Sequence, residues 1–216
     1  MNSPSDWFGW AFRDPQWPTK VLVQGLIVII PIVGWIAMTG WLLMAFENAH
    51  AGRNELPPAG FHLERGIAMF GVFLIYGLVL QIPAGVLYGA GAAASSQSTT
   101  AFNAGSPLSA LGFLLGLAGS LFLNFLVPSL IINTYHRGFA GGMDVPRVWE
   151  VAAANLNDSL VAGLIVFVVS FLGGLGFLCC IGFIFTIPYQ NTVMAAVAAW
   201  IERVKAAPPA PAAPAA

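Results

Sequence analysis

The stretch VLVQGLIVIIPIVGWIAMTGWLLMAF, residues 21–46, decides how often this chain enters a membrane. It carries no ionisable side chain. Read as one helix from Lys20 to His50, it would be about 46 Å long at 1.5 Å per residue, well beyond the ~30 Å of hydrocarbon in a bilayer. Read as two helices, it breaks at Pro31-Ile32-Val33-Gly34, where proline removes a backbone donor and the following glycine eases a turn. The first of the two is then rather short.

Three further apolar blocks follow, at residues 67–94, 108–134 and 160–201. The last is about twice the ~20 residues a crossing helix needs, so it is expected to form two helices with a turn at Gly173, Gly174 and Gly176, where glycine tolerates positive φ. The basic residues arbitrate the first block. All eight Lys and Arg fall into four segments: Arg13 and Lys20, Arg53 and Arg65, Arg137 and Arg147, Arg203 and Lys205. Residues 95–107 carry no charge at all. A single first span would strand Arg13 and Lys20 opposite Arg53 and Arg65, whereas a hairpin puts every basic segment on one side, as the positive-inside rule favours.

The expected fold is therefore all-α: a polytopic transmembrane helical bundle of about six spans, near residues 18–32, 34–51, 65–93, 107–134, 157–176 and 180–203. Both termini are expected in the cytoplasm, the chain lies in the cell membrane, and the cytoplasmic connectors carry interfacial helices. Residues 1–18 lack an apolar stretch with a cleavage site, so the first apolar run is expected to stay as an anchor. Residues 1–205 form one transmembrane domain, and residues 206–216, only Ala and Pro, read as a disordered tail.

Composition agrees. Hydrophobic residues make up 58% of the 216 and charged residues 8%, against about a quarter charged in soluble domains, and mean hydropathy is +0.80. The bilayer is the expected principal partner. A net charge of −1 supplies no electrostatic attraction for nucleic acid. The two cysteines, Cys179 and Cys180, adjoin each other in an apolar run and read as small packing residues.

Two connectors look alike. Residues 51–57, Ala-Gly-Arg-Asn-Glu-Leu-Pro, align without gaps to residues 140–146, Ala-Gly-Gly-Met-Asp-Val-Pro. Either loop composition accounts for this or a span–connector–span unit is duplicated, with each proline opening a short interfacial helix and Phe61 and Trp149 at headgroup level. At the N-terminus, Asp14 is expected to cap a helix with Pro15 at its first position, worth about 1 kcal/mol. Trp7, Trp10 and Trp17 read as an aromatic belt.

The run Phe12-Arg13-Asp14-Pro15-Gln16-Trp17, then Lys20, Gly25, Ile30-Pro31, Gly34, Gly40, Gly52 and Leu56-Pro57, resembles the opening of a prokaryotic membrane family, the domain-of-unknown-function family number 4013. Pro128, Tyr135, Gly138 and Pro188-Tyr189 are similar to its second half. The chain departs from it with Trp41 where Tyr commonly follows Gly40, and with Pro58-Ala59-Gly60 where an acid and Trp usually follow Leu-Pro. The resemblance implies architecture and no catalytic residues.

No Asp, Glu, Lys, Arg or His falls deep in an expected span, which argues against an ion-coupled pump. His50, His62 and His136 lack metal-ligand spacing, and no phosphate loop or nucleophile elbow is found. No catalytic, cofactor or metal residue is expected, and the protein is expected not to be an enzyme. The informative polar residues are Gln81, Asn124, Asn133, Gln190 and Asn191, read either as interhelical hydrogen bonds or, for Gln81, Asn124, Gln190 and Asn191, as the polar lining of a path beside Pro83, Pro128 and Pro188. Mostly small residues recur every four positions at Gly77, Gln81, Gly85, Gly89 and Ala93 and at Gly112, Gly116, Ser120, Asn124 and Pro128. Such faces let backbones approach closely, so Gly85 and Gly89 are expected to meet the stretch from Gly112 to Gly116, with Gln81 within reach of Ser120 or Asn124. The leading functional expectation is a non-enzymatic scaffold or organising protein that binds a membrane-protein partner or its own copies. The alternative is a carrier or channel for a neutral or lipidic molecule.

Overall fold

The computed structural model describes residues 4–96, 106–154, 156–176 and 182–206, and every regular element among them is helical. Cys179, Cys180, most of the uncharged loop and the Ala/Pro tail lie outside the described residues. The order is α1 (Pro4–Gly9), a short 3-10 turn (Ala11–Arg13), α2 (Trp17–Val28), α3 (Val33–His50), α4 (Leu63–Ser96), α5 (Ser106–Met143, broken at Gly138 with φ 63° and ψ −154°), α6 (Val145–Ala153), α7 (Leu156–Leu175) and α8 (Phe183–Ala206). Four of these are long and apolar enough to cross a membrane: Leu63–Ser95, Pro107–Met143, Leu156–Leu175 and Phe183–Arg203.

Helix α8 is the inner helix. Residues 191–199 are all buried, and α2, α3, α5 and α7 pack around it, while α4 packs on α3 and α5. Its Ala195, Ala196, Ala198 and Ala199 keep its girth small, which lets several neighbours reach one axis. Gly25 of α2 approaches so closely that a Cβ there would overlap the Ile184 carbonyl. Pro188 has no N–H to give that carbonyl, so the close glycine backbone shields an acceptor the helix leaves unpaired.

The first apolar block is two helices, and its ends return to one place. The break falls at Ile32, which adopts φ 62°, ψ −59°, while the Val33 amide donates to the Pro31 carbonyl at 2.6 Å. This is a γ-turn of the strained hand, costing about 1–3 kcal/mol for a non-glycine residue. Gly34 was expected to ease the turn. It is instead helical, and its missing side chain admits the Ile27 carbonyl of α2. At 12 residues, α2 is about 18 Å long, short of a crossing. The turn of the last apolar block is also corrected: Gly173 and Gly174 are still within α7.

Asp14 is not a helix cap. Gln16 holds the N-cap position of α2 without a side-chain bond, and the Asp14 carboxylate, 2% exposed, joins three segments. Its Oδ1 accepts from the Gln16 amide at 2.8 Å, and its Oδ2 accepts from Lys20 Nζ at 2.7 Å and from the Leu56 amide at 2.8 Å. Lys20 Nζ also donates to the Leu56 carbonyl at 2.8 Å, and Trp10 Nε1 to the Arg53 carbonyl at 3.0 Å. Trp7 and Trp10 are buried, Trp7 against Trp200 of α8, so they anchor the N-terminal segment to protein rather than to lipid. The other basic segments meet at this end as well. Arg65 Nη1 donates to Glu47 at 2.6 Å, His136 Nε2 and His50 Nδ1 flank the Glu202 carboxylate at 2.6 and 2.9 Å, and Arg137 pairs with Asp144 at 3.1 Å.

The two similar connectors differ in structure. In the second, Asp144 caps α6, accepting from the Arg147 amide at 3.4 Å, and Pro146 lies in the first turn. In the first, residues 53–60 form no helix, and the chain runs alongside α2 and α3. There the Gly60 amide donates to Gln24 Oε1 at 3.0 Å and Trp41 Nε1 to the Pro57 carbonyl at 3.2 Å.

Asp14→Ala should destabilise the protein by about 3–5 kcal/mol, because it leaves Lys20 and the Leu56 amide without their buried acceptor. Burial alone would raise the Asp14 carboxyl, but the Lys20 ammonium and the Gln16 and Leu56 amides outweigh it and hold it below its ordinary 3.8. A depressed folded-state pKa stabilises fully above the unfolded value and is lost as pH falls through the folded one. Thermal unfolding in detergent should therefore show an acid-side decline that Asp14→Asn flattens. An Asp14→Ala loss near 1 kcal/mol would return the residue to a simple cap.

Candidate functional site

Three of the five amides singled out from the sequence meet at one place, while Asn133 bonds the Ser129 carbonyl of its own helix. A cavity of about 380 Å³ opens between α3, α4, α5, α7 and α8, and Asn124, Gln190 and Asn191 line it together with Ser170 and Thr39. Its other walls are apolar: Met38, Phe73, Leu123, Val127, Ile187 and Met194, with Trp35 at 42% exposure on its rim.

The polar groups form a chain across four helices. Gln190 Nε2 of α8 donates to Ser170 Oγ of α7 at 3.1 Å, and Ser170 Oγ donates to Asn124 Oδ1 of α5 at 3.1 Å. Asn124 Nδ2 then donates to the Ser120 carbonyl one turn away at 2.7 Å, and Gln81 Nε2 of α4 donates to Ser120 Oγ at 2.8 Å. Gln81 is thus the outer end of the chain and does not line the cavity. Asn191 turns its Nδ2 back to the Ile187 carbonyl at 2.9 Å, one of the ways an amide is satisfied inside a helix. No protein donor reaches Gln190 Oε1 or Asn191 Oδ1 among the described residues. Gly173 shapes the wall, since a Cβ there would collide with Gln190 Oε1. Ser170 was missed by the sequence reading. Its position three residues before Gly173 places it on the same helix face, but a lone serine in an apolar run gives no signal without knowledge of its partner.

The packing of α4 on α5 is corrected by one residue. The face of α4 that meets α5 is Leu80, Gln81, Ala84 and Tyr88. Gly112 admits the Tyr88 amide and the Ala84 carbonyl, Gly116 faces the Ala84 methyl, and Gly119 faces the Leu80 carbonyl. Gly77, Gly85 and Gly89 have nothing within 4 Å of where a Cβ would stand. The close approach itself sets the offset: Gly112 takes the backbone of Ala84 and Tyr88, four residues apart on one face of α4. Gln81, three residues before Ala84, shares that face and reaches Ser120, and Gly85 falls at its edge.

Over residues 23–182 the chain matches the family described as protein of unknown function DUF4013. It belongs to that family. No curated protein and no solved structure matches it. The DUF4013 match takes in Asn124, Ser170 and Gly173 and stops before α8. Gln190 and Asn191, and the inner helix that carries them, lie beyond it.

A Cβ on Gly116 would stand 3.4 Å from the Ala84 Cβ, close to the ~3.5–4.5 Å of a disulfide. In a Cys179→Ser, Cys180→Ser background, Ala84→Cys with Gly116→Cys should crosslink efficiently under mild oxidation, and Gly85→Cys with Gly116→Cys should not. The reverse pattern on a non-reducing gel would restore the Gly85 face to the interface.

Proposed function

We propose that this protein is a non-enzymatic, multi-pass protein of the cytoplasmic membrane that binds a neutral amphiphile in the amide-lined cavity, as a carrier or receptor. The observation behind this reading is the convergence of Asn124, Ser170, Gln190 and Asn191, from three helices, on one cavity with apolar walls. Pockets with a few convergent polar groups in an apolar surround are where small ligands bind. Amides and a hydroxyl both donate and accept, and they transfer no proton near neutral pH, so the site suits recognition of an uncharged polar head rather than acid–base chemistry. Its volume of about 380 Å³ admits a head and part of a chain.

The topology we propose has both termini and all basic segments in the cytoplasm, by the positive-inside rule. Helices α4, α5, α7 and α8 cross fully. The short α2 and α3 enter from the cytoplasmic side as a hairpin whose apolar tip, Ile29 to Val33, rests in hydrocarbon. Six membrane-embedded helices result, with α6 at the interface. A second reading, a scaffold for a membrane-protein partner or for further copies of the chain, is favoured by the outer halves of α4 and α5, which pack on each other and are largely exposed.

Native mass spectrometry of the protein after gentle extraction tests the ligand. A stoichiometric neutral amphiphile is expected on the wild type, and Gly174→Phe should abolish it, because the space beside Gly174 is open and the ring would fill the cavity. Retention in that variant, or no ligand in the wild type beside a stoichiometric partner protein, would favour the scaffold. For topology, a reporter active only outside the cytoplasm should be active fused at Ser98 and inactive fused after Lys205. Activity at Lys205 would refute the orientation.

A further inference from the structure

We propose that a second site, distinct from the amide-lined cavity, holds the phosphate of an anionic phospholipid headgroup at the basic end of the bundle. A crevice of about 210 Å³ lies between α5, α6 and α8, with Arg137 and Arg147 on its walls, Asn133 at its floor, and Ile132 and Val151 as apolar contacts. Basic pockets between transmembrane helices on the cytoplasmic side recognise anionic headgroups in this way, and guanidinium groups suit phosphate because their donors form a planar fork. The inference rests on the membrane reading above, but not on the cavity having a ligand.

The charges around the crevice are partly paired, and Arg147 and Arg203 are cations that no carboxylate pairs among the described residues. On α5, Arg137 uses Nη1 on Asp144 at 3.1 Å, which leaves the rest of its guanidinium uncommitted. On α6, Arg147 makes no ion pair among the described residues. On α8, Glu202 also lines the crevice, but each of its oxygens faces an imidazole, His136 of α5 at 2.6 Å and His50 of α3 at 2.9 Å. Its neighbour Arg203 adds a further cation, with Nε on the Ala199 carbonyl at 3.1 Å and Nη2 buried without a partner. Asn133, 4% exposed, has its Nδ2 committed to the Ser129 carbonyl at 2.8 Å, so the floor is rigid.

Helix α6 explains why the phosphate would belong to a lipid. It buries Val148, Val151 and Ala152 against the bundle, leaves Val145 exposed, sets the half-exposed Trp149 beside Phe122 and Phe125 of α5, and holds the exposed Arg147 on the wall of the crevice. Exposed apolar and aromatic residues beside arginine, on a short helix capped by Asp144, are the pattern of a segment lying at headgroup depth. An acyl chain leaving the crevice would run down the apolar flank of α5.

The test uses the full chain in mixed micelles of equimolar phosphatidylglycerol and phosphatidylcholine, with retained lipids counted by native mass spectrometry. Phosphatidylglycerol should be enriched on the wild type. Arg147→Gln should lower the enrichment about fivefold, the effect of one basic side chain at an anionic surface. Arg53→Gln, a cation at the same end but outside the crevice, should leave it in place, as should Gly174→Phe in the other cavity. Because Arg137→Gln also releases Asp144 from α6, Arg147→Gln is the decisive variant. Equal retention of both lipids by the wild type, or unchanged enrichment in Arg147→Gln, would overturn the site. Displacement of phosphatidylglycerol by excess inorganic phosphate would show a soluble-anion site and overturn the lipid assignment.

Discussion

The Asp14 carboxylate holds together a region that hydrophobic length alone would not order. Helix α2 packs on α8 but is too short to cross a bilayer, and the chain after α3 is polar and extended, with no apolar face to fix it. Asp14 ties both to Lys20 and to the Leu56 backbone, and Gln24 then takes the Gly60 amide further along. Backbone groups near hydrocarbon must find partners within the protein, and here two side chains of the N-terminal segment supply them. With residues 53–62 fixed, α4 starts where Gly66 can meet α3, and Thr39 Oγ1 donates to the Gly66 carbonyl at 2.9 Å. The entry of α4 therefore follows from a bond made fifty residues earlier.

The far side of the bundle is organised differently, by amides rather than by charge. The chain from Gln190 through Ser170, Asn124 and Ser120 to Gln81 spans α8, α7, α5 and α4. Interhelical hydrogen bonds of this kind contribute roughly 0.6–2 kcal/mol each. Their larger effect is on rotation: each fixes which face of its helix looks inward. Where the chain ends, at Gln190 Oε1, the protein leaves an acceptor facing a cavity, so the same network that orients the helices prepares a place for a donor.

What could be read from the sequence follows from which signals are local. Apolar length located α4, α5, α7 and α8, and the grouping of Lys and Arg foretold that the ends of the first block return to one place, which the Lys20–Leu56 bond shows directly. Proline marked the break but not its geometry: the strained residue is Ile32, and Gly34 serves packing. Asp14 looked like a cap because capping is a local pattern, whereas its partner Leu56 is forty-two residues away and left no trace in the neighbouring sequence. Trp7 and Trp10 looked interfacial for the same reason, since burial against Trp200 and the Arg53 carbonyl depends on tertiary contact. Amide identity pointed to the cavity, yet it could not separate Gln81 from Gln190, because periodicity gives the face of a residue only relative to its own helix. Ser170 carried no signal until Asn124 and Gln190 stood on either side of it.

Helices α4 and α5 outlast the rest of the bundle. The crossing stretch of α7 is 20 residues and that of α4 is 33, or about 30 Å against about 50 Å. In a bilayer, one molecule would present two hydrophobic thicknesses to the lipid around it. A bilayer matched to α7 must thicken, or the α4–α5 pair must tilt, along one flank only, at a cost of fractions of a kcal/mol for each ångström of mismatch. The protein is in that sense an asymmetric wedge. It should sit most comfortably where lipid thickness changes, and it should draw longer-chain lipids to one side of itself whatever occupies its cavity.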